Sequence, residues 1–386
     1  MKTNSNISRI ELVDSIRGIA LLGVLLANIP IAPNLISGTL DETFLFLSNF
    51  LIAKKFIAIF SMLFGFGFYI QYSNHKTKGK QFSNYFIIRM VVLMIIATVH
   101  SYLLWNGDII MTYATSGVIL LLLRNWSVKR LVILSSILIV IVTGFLFIAN
   151  SALGWQIYDY DYALNDEFPL TNSLMRYLQI NFIMNPWSNF LKDLPITFSY
   201  ALGNMAVGII LGKFNFFTNK GFNQNQLKFF IITGLIGFSS SYIFHLVVSS
   251  QLELSVNLLW IPPVIAGGMV FHSLFYLALI RFLYQSTLIK KGIKVFVYVG
   301  KTALTNYIFQ SLLYLLFFYH LTNTFNLFGK LTIGETYFVA IVFFGIQSLF
   351  SYFWLKKFKR GPVEFIWRES VEMVYRKTQK RKPASP

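Results

Sequence analysis

Three residues carry the clearest chemical signal in the sequence: Arg89, His100 and Asp108. Arg89 precedes His100 by eleven residues within one apolar run. At about 100° per helical residue, that offset returns to within roughly 20° of the starting direction, so both side chains share a helix face. They stand roughly 16 Å apart along the axis. Asp108 follows Trp105-Asn106-Gly107, where the glycine permits a reversal that brings the carboxylate back towards the imidazole. A carboxylate on one ring nitrogen fixes the tautomer and makes the other nitrogen a better base, which suits general-base catalysis. A histidine satisfied at a helix end, with Asp108 capping the next helix, fits the same residues.

The first apolar segment repeats the layout, with Arg17 eleven residues before Asn28. Arg17 and Arg89 either snorkel to an interface or hold an anion. In the latter case Asn28 steadies the reacting oxygen beside His100 and Asp108. Farther along, Thr302, Thr305, Asn306 and Gln310 fall at i, i+3, i+4 and i+8, a polar stripe that either lines a cavity or ties helices together. Lys301 beside it is a snorkelling residue or a phosphate contact. Trp105, Thr305, Asn306, Gln310 and His272 form the candidate substrate wall. For His272, after Gly267-Gly268, close helix approach at the glycines is the simpler account.

The elements that must position these residues lie in a membrane. The 386 residues are 55% hydrophobic and 12% charged, with mean hydropathy +0.61, too apolar for a soluble globular chain. The expectation is an all-α polytopic bundle of about ten spans, near 15–33, 56–73, 84–104, 109–124, 131–150, 195–212, 229–250, 258–280, 295–319 and 336–355. A net charge of +18 suggests nucleic acid until the basic residues are placed. With a cytoplasmic N-terminus, most Lys and Arg fall on the inner side and most acids on the outer. The excess therefore reports topology, with both termini cytoplasmic and no nucleic-acid partner.

Residues 1–355 read as one transmembrane domain with an outer loop at 151–195. In that loop, Trp155, Tyr158 and Asp159 either stack on sugars or form a solvated aromatic belt. Residues 356–386 read as a basic amphipathic tail on the anionic inner leaflet. Lys2 and Arg9 before the first apolar run point to an uncleaved signal-anchor. The chain has no cysteine, which excludes disulfides and thiolate metal sites. Its histidines lack metal spacing and no nucleotide-binding loop is present, so no metal is expected.

Several runs carry a family resemblance: Asp14-Ser-Ile-Arg17-Gly18 to Asn28, Phe60-Ser-Met-Leu-Phe64-Gly65-Phe-Gly67, Arg89 to His100 with Trp105-Asn-Gly107-Asp108, Val299-Gly300-Lys301 to Tyr307, and Gly361-Pro362-Val-Glu364-Phe-Ile-Trp367. The chain resembles the YeiB-like bacterial membrane proteins, domain of unknown function 418. More distantly it is similar to transmembrane acyltransferases, including the heparan glucosaminide acetyltransferase type. These move acyl groups from cytosolic acyl-coenzyme A to extracytoplasmic sugars. In that wider group an Asp-x-x-Arg-Gly pattern matters, matched here by Asp14, Arg17 and Gly18. Relatives with histidine eleven residues after the arginine have it where this chain has Asn28, so the resemblance passes proton transfer to His100.

The resulting expectation is a bacterial cytoplasmic-membrane acyltransferase with acyl-coenzyme A as donor and an envelope glycan or lipid-linked acceptor. His100 with Asp108 would be the base, and Arg17, Arg89 and Lys301 the phosphate contacts. The alternative is a non-catalytic transporter, or an accessory or resistance protein for lipid or peptide export. A homo-oligomer is compatible with either.

Overall fold

The computed structural model describes residues 10–29, 38–77, 82–145, 173–218, 223–248, 261–318 and 327–380. These form fourteen α-helices and, among the described residues, no strand. In chain order they are α1 (Glu11–Asn28), α2 (Thr39–Leu47), α3 (Lys55–Thr77), α4 (Phe82–Leu103), α5 (Ile110–Leu123), α6 (Val128–Ser136) and α7 (Leu174–Ile183). Then follow α8 (Pro186–Lys213), α9 (Gln224–Val248), α10 (Ile261–Leu283), α11 (Thr287–Lys301), α12 (Ala303–Phe317), α13 (Ile333–Lys357) and α14 (Pro362–Lys380). Trp155, Tyr158, Asp159 and the N-terminal Lys2 and Arg9 lie outside the described residues.

Among the described residues, seven helical stretches are long and apolar enough to cross a membrane, against the ten spans expected from the sequence. The chain is a membrane protein. Two expected spans fall short for a geometric reason: α5 and α12 have 14 and 15 residues. At about 1.5 Å per residue each reaches only some 22 Å of a roughly 30 Å hydrocarbon slab. The expected span at 295–319 is broken at Thr302, which leaves helical geometry at φ −118° and ψ 37°. Lys301 is consequently the last residue of α11 instead of an interior position of one long helix.

The expected loop at 151–195 also needs correction. Its described part forms α7 and the first turns of α8. Asn185 caps α8 through Ser188 N and Pro186 takes the first turn, where a missing N–H costs little. Pro195 lies inside that helix. α7 has a holding role: Asn181 Nδ2 donates to the carbonyls of Ser101 and Tyr102, and Tyr177 Oη to that of Leu104. These contacts pin the end of α4 just beyond His100.

Two helix pairs form the frame. A Cβ on Gly65 of α3 would collide with the backbone of Met205 on α8, and one on Gly208 of α8 with the backbone of Met62 on α3. In the same reciprocal way, Gly18 of α1 faces the backbone of Phe296 on α11, and Gly300 of α11 faces that of Asp14 on α1. Between helices in lipid the hydrophobic effect does little, so close backbone packing at small residues carries association. Gly300→Val is expected to force α1 and α11 apart at a cost of about 1–3 kcal/mol or more. Gly292→Ala, where a Cβ meets nothing within 4 Å, should leave the thermal midpoint in detergent unchanged or slightly raised.

Candidate functional site

The frame encloses a cavity of about 520 Å³ bounded by α1, α3, α4, α5, α8, α11, α12 and α14. Arg17 and Lys301 reach it because the α1–α11 glycine contact brings their backbones together. Arg17 lies beside Gly67 of α3, where its Nη2 would make an ordinary 3.6 Å contact with a Cβ. Arg17 pairs with the buried carboxylate of Asp14 at 3.0 Å. Arg89 enters from α4, stacked 4.0 Å from the centre of the Trp367 ring on α14, and feels Arg17 and Arg368 as like charges. Trp367 Nε1 in turn donates to Arg89 O at 3.0 Å. This is the basic end.

α14 is also fastened through Glu364. Its Oε1 accepts from the backbone N–H groups of Leu304 and Thr305 at 2.7 and 3.2 Å, capping α12 from another helix, and its Oε2 accepts from Thr305 Oγ1. Burial pushes the Glu364 carboxyl above the usual carboxylate range, against these hydrogen bonds, which pull it down.

Along each of α1 and α4 the cavity runs from an arginine towards a second polar group. At that other end lie Asn28, Asn106, Asp108, Thr112, Asn189, Asp193 and Thr197. Asp108 Oδ1 accepts from Ile110 N at 3.0 Å, which caps α5, and from Tyr307 Oη at 3.2 Å. It lies 3.4 Å from His100 Nδ1. His100 Nε2 is 2.9 Å from Ser311 Oγ. Capping and facing the histidine, the two readings open in the sequence, thus coexist in one carboxylate.

The order is nevertheless the reverse of the expected one. Asp108 lines the cavity, whereas His100 is buried behind it with Ser311 at its far nitrogen. In this arrangement His100 can hold or relay a proton through Asp108.

The structure brings Arg17, Arg89, Lys301, Asn28 and Asp108 into the lining of one cavity and leaves the other candidates out of it. Asn28, the last residue of α1, is exposed as well as cavity-lining. Asn306 Nδ2 donates to Thr302 Oγ1 and Ser351 Oγ, and Gln310 Nε2 to Leu21 O and Gln347 Oε1. With Thr305 on Glu364, the stripe joins α12 to α1, α13 and α14. Trp105 packs against Tyr314. His272 sits between α9 and α10, with Nδ1 2.7 Å from Ser241 Oγ and its ring against Phe238 and Tyr276. Sequence reasoning passed over Asn106, although it stands two residues before Asp108, and over Asn189, Asp193 and Thr197, which it assigned to a loop or its edge.

Residues 211–374 match the family model described as "Protein of unknown function (DUF418)". The similarity to single proteins runs much farther. Uncharacterized protein YxaH of Bacillus subtilis (strain 168) is 25% identical, covering 97% of this chain and 96% of the relative. Uncharacterized protein YeiB of Escherichia coli (strain K12) is 26% identical, covering 92% and 94%. The chain is thus similar to the YeiB-like DUF418 proteins. No solved structure matches it. The family model takes in Lys301, Glu364 and Trp367, while Arg17, Arg89, His100 and Asp108 lie in the region reached by full-length similarity alone.

Trp367→Ala removes one cation–π contact and one hydrogen bond, together about 1–3 kcal/mol. Amide exchange across 362–380 is therefore expected to rise about tenfold or more, with protection of α3 and α8 retained. Unchanged exchange would show that these contacts do not fasten α14.

Proposed function

We propose that this protein is a multi-pass acyltransferase of the bacterial cytoplasmic membrane, with both termini cytoplasmic. It moves an acyl group, acetyl in the simplest case, from cytosolic acyl-coenzyme A to an extracytoplasmic envelope glycan or lipid-linked acceptor. One observation carries the reading: a single cavity has three cations at one end and the Asp108–His100 pair at the other. A donor with phosphates at one end and a thioester at the other matches that polarity. At about 520 Å³ the space suits the donor's acyl-bearing arm while its nucleotide stays at the basic mouth.

In the transfer, an acceptor oxygen or nitrogen bonds to the thioester carbonyl carbon as its proton passes to Asp108. The C–S bond then breaks, and the thiolate leaves with its electron pair and takes up a proton to give coenzyme A. His100 behind Asp108 stabilises the carboxylate or stores the proton. Arg17, Arg89 and Lys301 hold phosphate oxygens. Asn28 offers an amide to the carbonyl oxygen.

The test uses full-length protein in lipid with labelled acetyl-coenzyme A and envelope fractions. Asp108→Asn should retain the fold, since asparagine also caps helices, and reduce transfer about 10²–10⁴-fold. Arg89→Gln should raise KM for the donor more than it lowers kcat. Full transfer by Asp108→Asn would remove that residue as the base, and the absence of donor-dependent label would sink the enzymatic reading.

A further inference from the structure

The Asp108 end of the cavity holds polar atoms that the helix packing leaves unanswered. Asp108 is only 8% exposed, yet its Oδ2 has no hydrogen-bond partner. On the same wall, Asn106 has neither its Oδ1 nor its Nδ2 paired, although both atoms are buried. Leaving such groups bare costs about 1–3 kcal/mol each, more for a charge. Buried polar atoms in native proteins almost always have partners, and a run of exceptions on one cavity wall calls for an explanation.

The unmatched set specifies its complement. Asp108 Oδ2 and Asn106 Oδ1 each require a donor, and Asn106 Nδ2 requires an acceptor. An ammonium group donates but cannot accept. A phosphate or carboxylate accepts but cannot answer the two oxygens, and it would meet the Asp108 charge in a site of low dielectric. Two adjacent hydroxyls do both, because each carries one donor and two lone pairs. Thr112 and Thr197 extend the wall with further hydroxyls, and Asn189 with another amide. Asp193 is the second acid there and interacts with Lys54.

We infer that the Asp108 end of the cavity is a subsite for a neutral vicinal diol, held by Asn106 and Asp108. The inference rests on the acyltransferase reading for its role as the acceptor's place, but diol binding needs no donor. One hydroxyl donates to Asp108 Oδ2 and is thereby the group poised to lose its proton. The other spans the Asn106 amide and fixes which oxygen faces Asp108. Asn106 is thus a specificity residue and Asp108 the reacting base. Amines and anionic acceptors are disfavoured by the same set.

The experiment is a saturation-transfer NMR titration of the full chain in lipid nanodiscs, with no acyl donor. The probes are methyl α-D-glucopyranoside, glycerol, methylammonium and inorganic phosphate. At least one of the two diols should bind, the glucoside marking a glycan acceptor and glycerol a glycerolipid headgroup, and the two ions should bind at least tenfold more weakly at this site. Asn106→Leu should weaken diol binding about tenfold or more. Because Asn106 makes no hydrogen bond within the fold through its side chain, the thermal midpoint should hold; Asn106→Ala provides a second variant if leucine is too large. Preference for methylammonium or phosphate, binding that neither variant weakens, or no diol binding would each overturn the inference. Diol binding without acetyl transfer would count against the enzymatic reading alone.

Discussion

Backbone-to-backbone approach at paired glycines is the constraint from which the site follows. Helices packed within lipid gain little from burying apolar side chains against one another, so stability comes from contact density and satisfied polar groups. Gly18 with Gly300 and Gly65 with Gly208 let two helix pairs close until backbone meets backbone. That closeness sets the chemistry. Arg17 and Lys301 each adjoin one of these glycines, so the α1–α11 contact delivers two cations to one cavity end. A branched side chain at either glycine would move both charges together.

A second constraint is the number of duties resting on Asp108. It begins α5 through Ile110 N, receives Tyr307 Oη from α12 and stands against His100 from α4. One oxygen handles all of these while the other is unmatched. The carboxylate is therefore held in orientation by three helices, which is the condition for a preorganised reacting group. Ser311 on the far nitrogen of His100 completes a buried line from α12 to the cavity. Such a line polarises along its length, so the imidazole is coupled to the carboxylate that lines the cavity.

Much of this was legible in the sequence, and the misses have physical causes. The eleven-residue offsets in α1 and α4 placed Arg17 with Asn28, and Arg89 with His100, because periodicity in a straight helix is a matter of geometry alone. The turn at Gly107 was readable for the same local reason. Which of His100 and Asp108 faces the cavity was not, since that depends on α12 supplying Ser311 and Tyr307 from two hundred residues away. The stripe Thr305, Asn306 and Gln310 looked equally suited to a cavity or to a joint, and only the positions of Gln347, Ser351 and Glu364 decide for the joint. The break at Thr302 hid inside an apolar run because Glu364 caps α12 across a gap of about sixty residues. Asn185-Pro186 did carry a start signal for α8, but Pro195 masked it.

The basic end shows why α14 belongs to the site and is more than an appendage. Three cations gathered in a weakly polar setting repel one another and need local compensation. Asp14 answers Arg17 from within α1, and the π face of Trp367 answers Arg89. Glu364 adds a carboxylate on the wall that Lys301 shares, while its hydrogen bonds hold the N-terminus of α12. Remove α14 and the cavity loses part of its wall, the α12 cap and two of the three groups that make the cations tolerable.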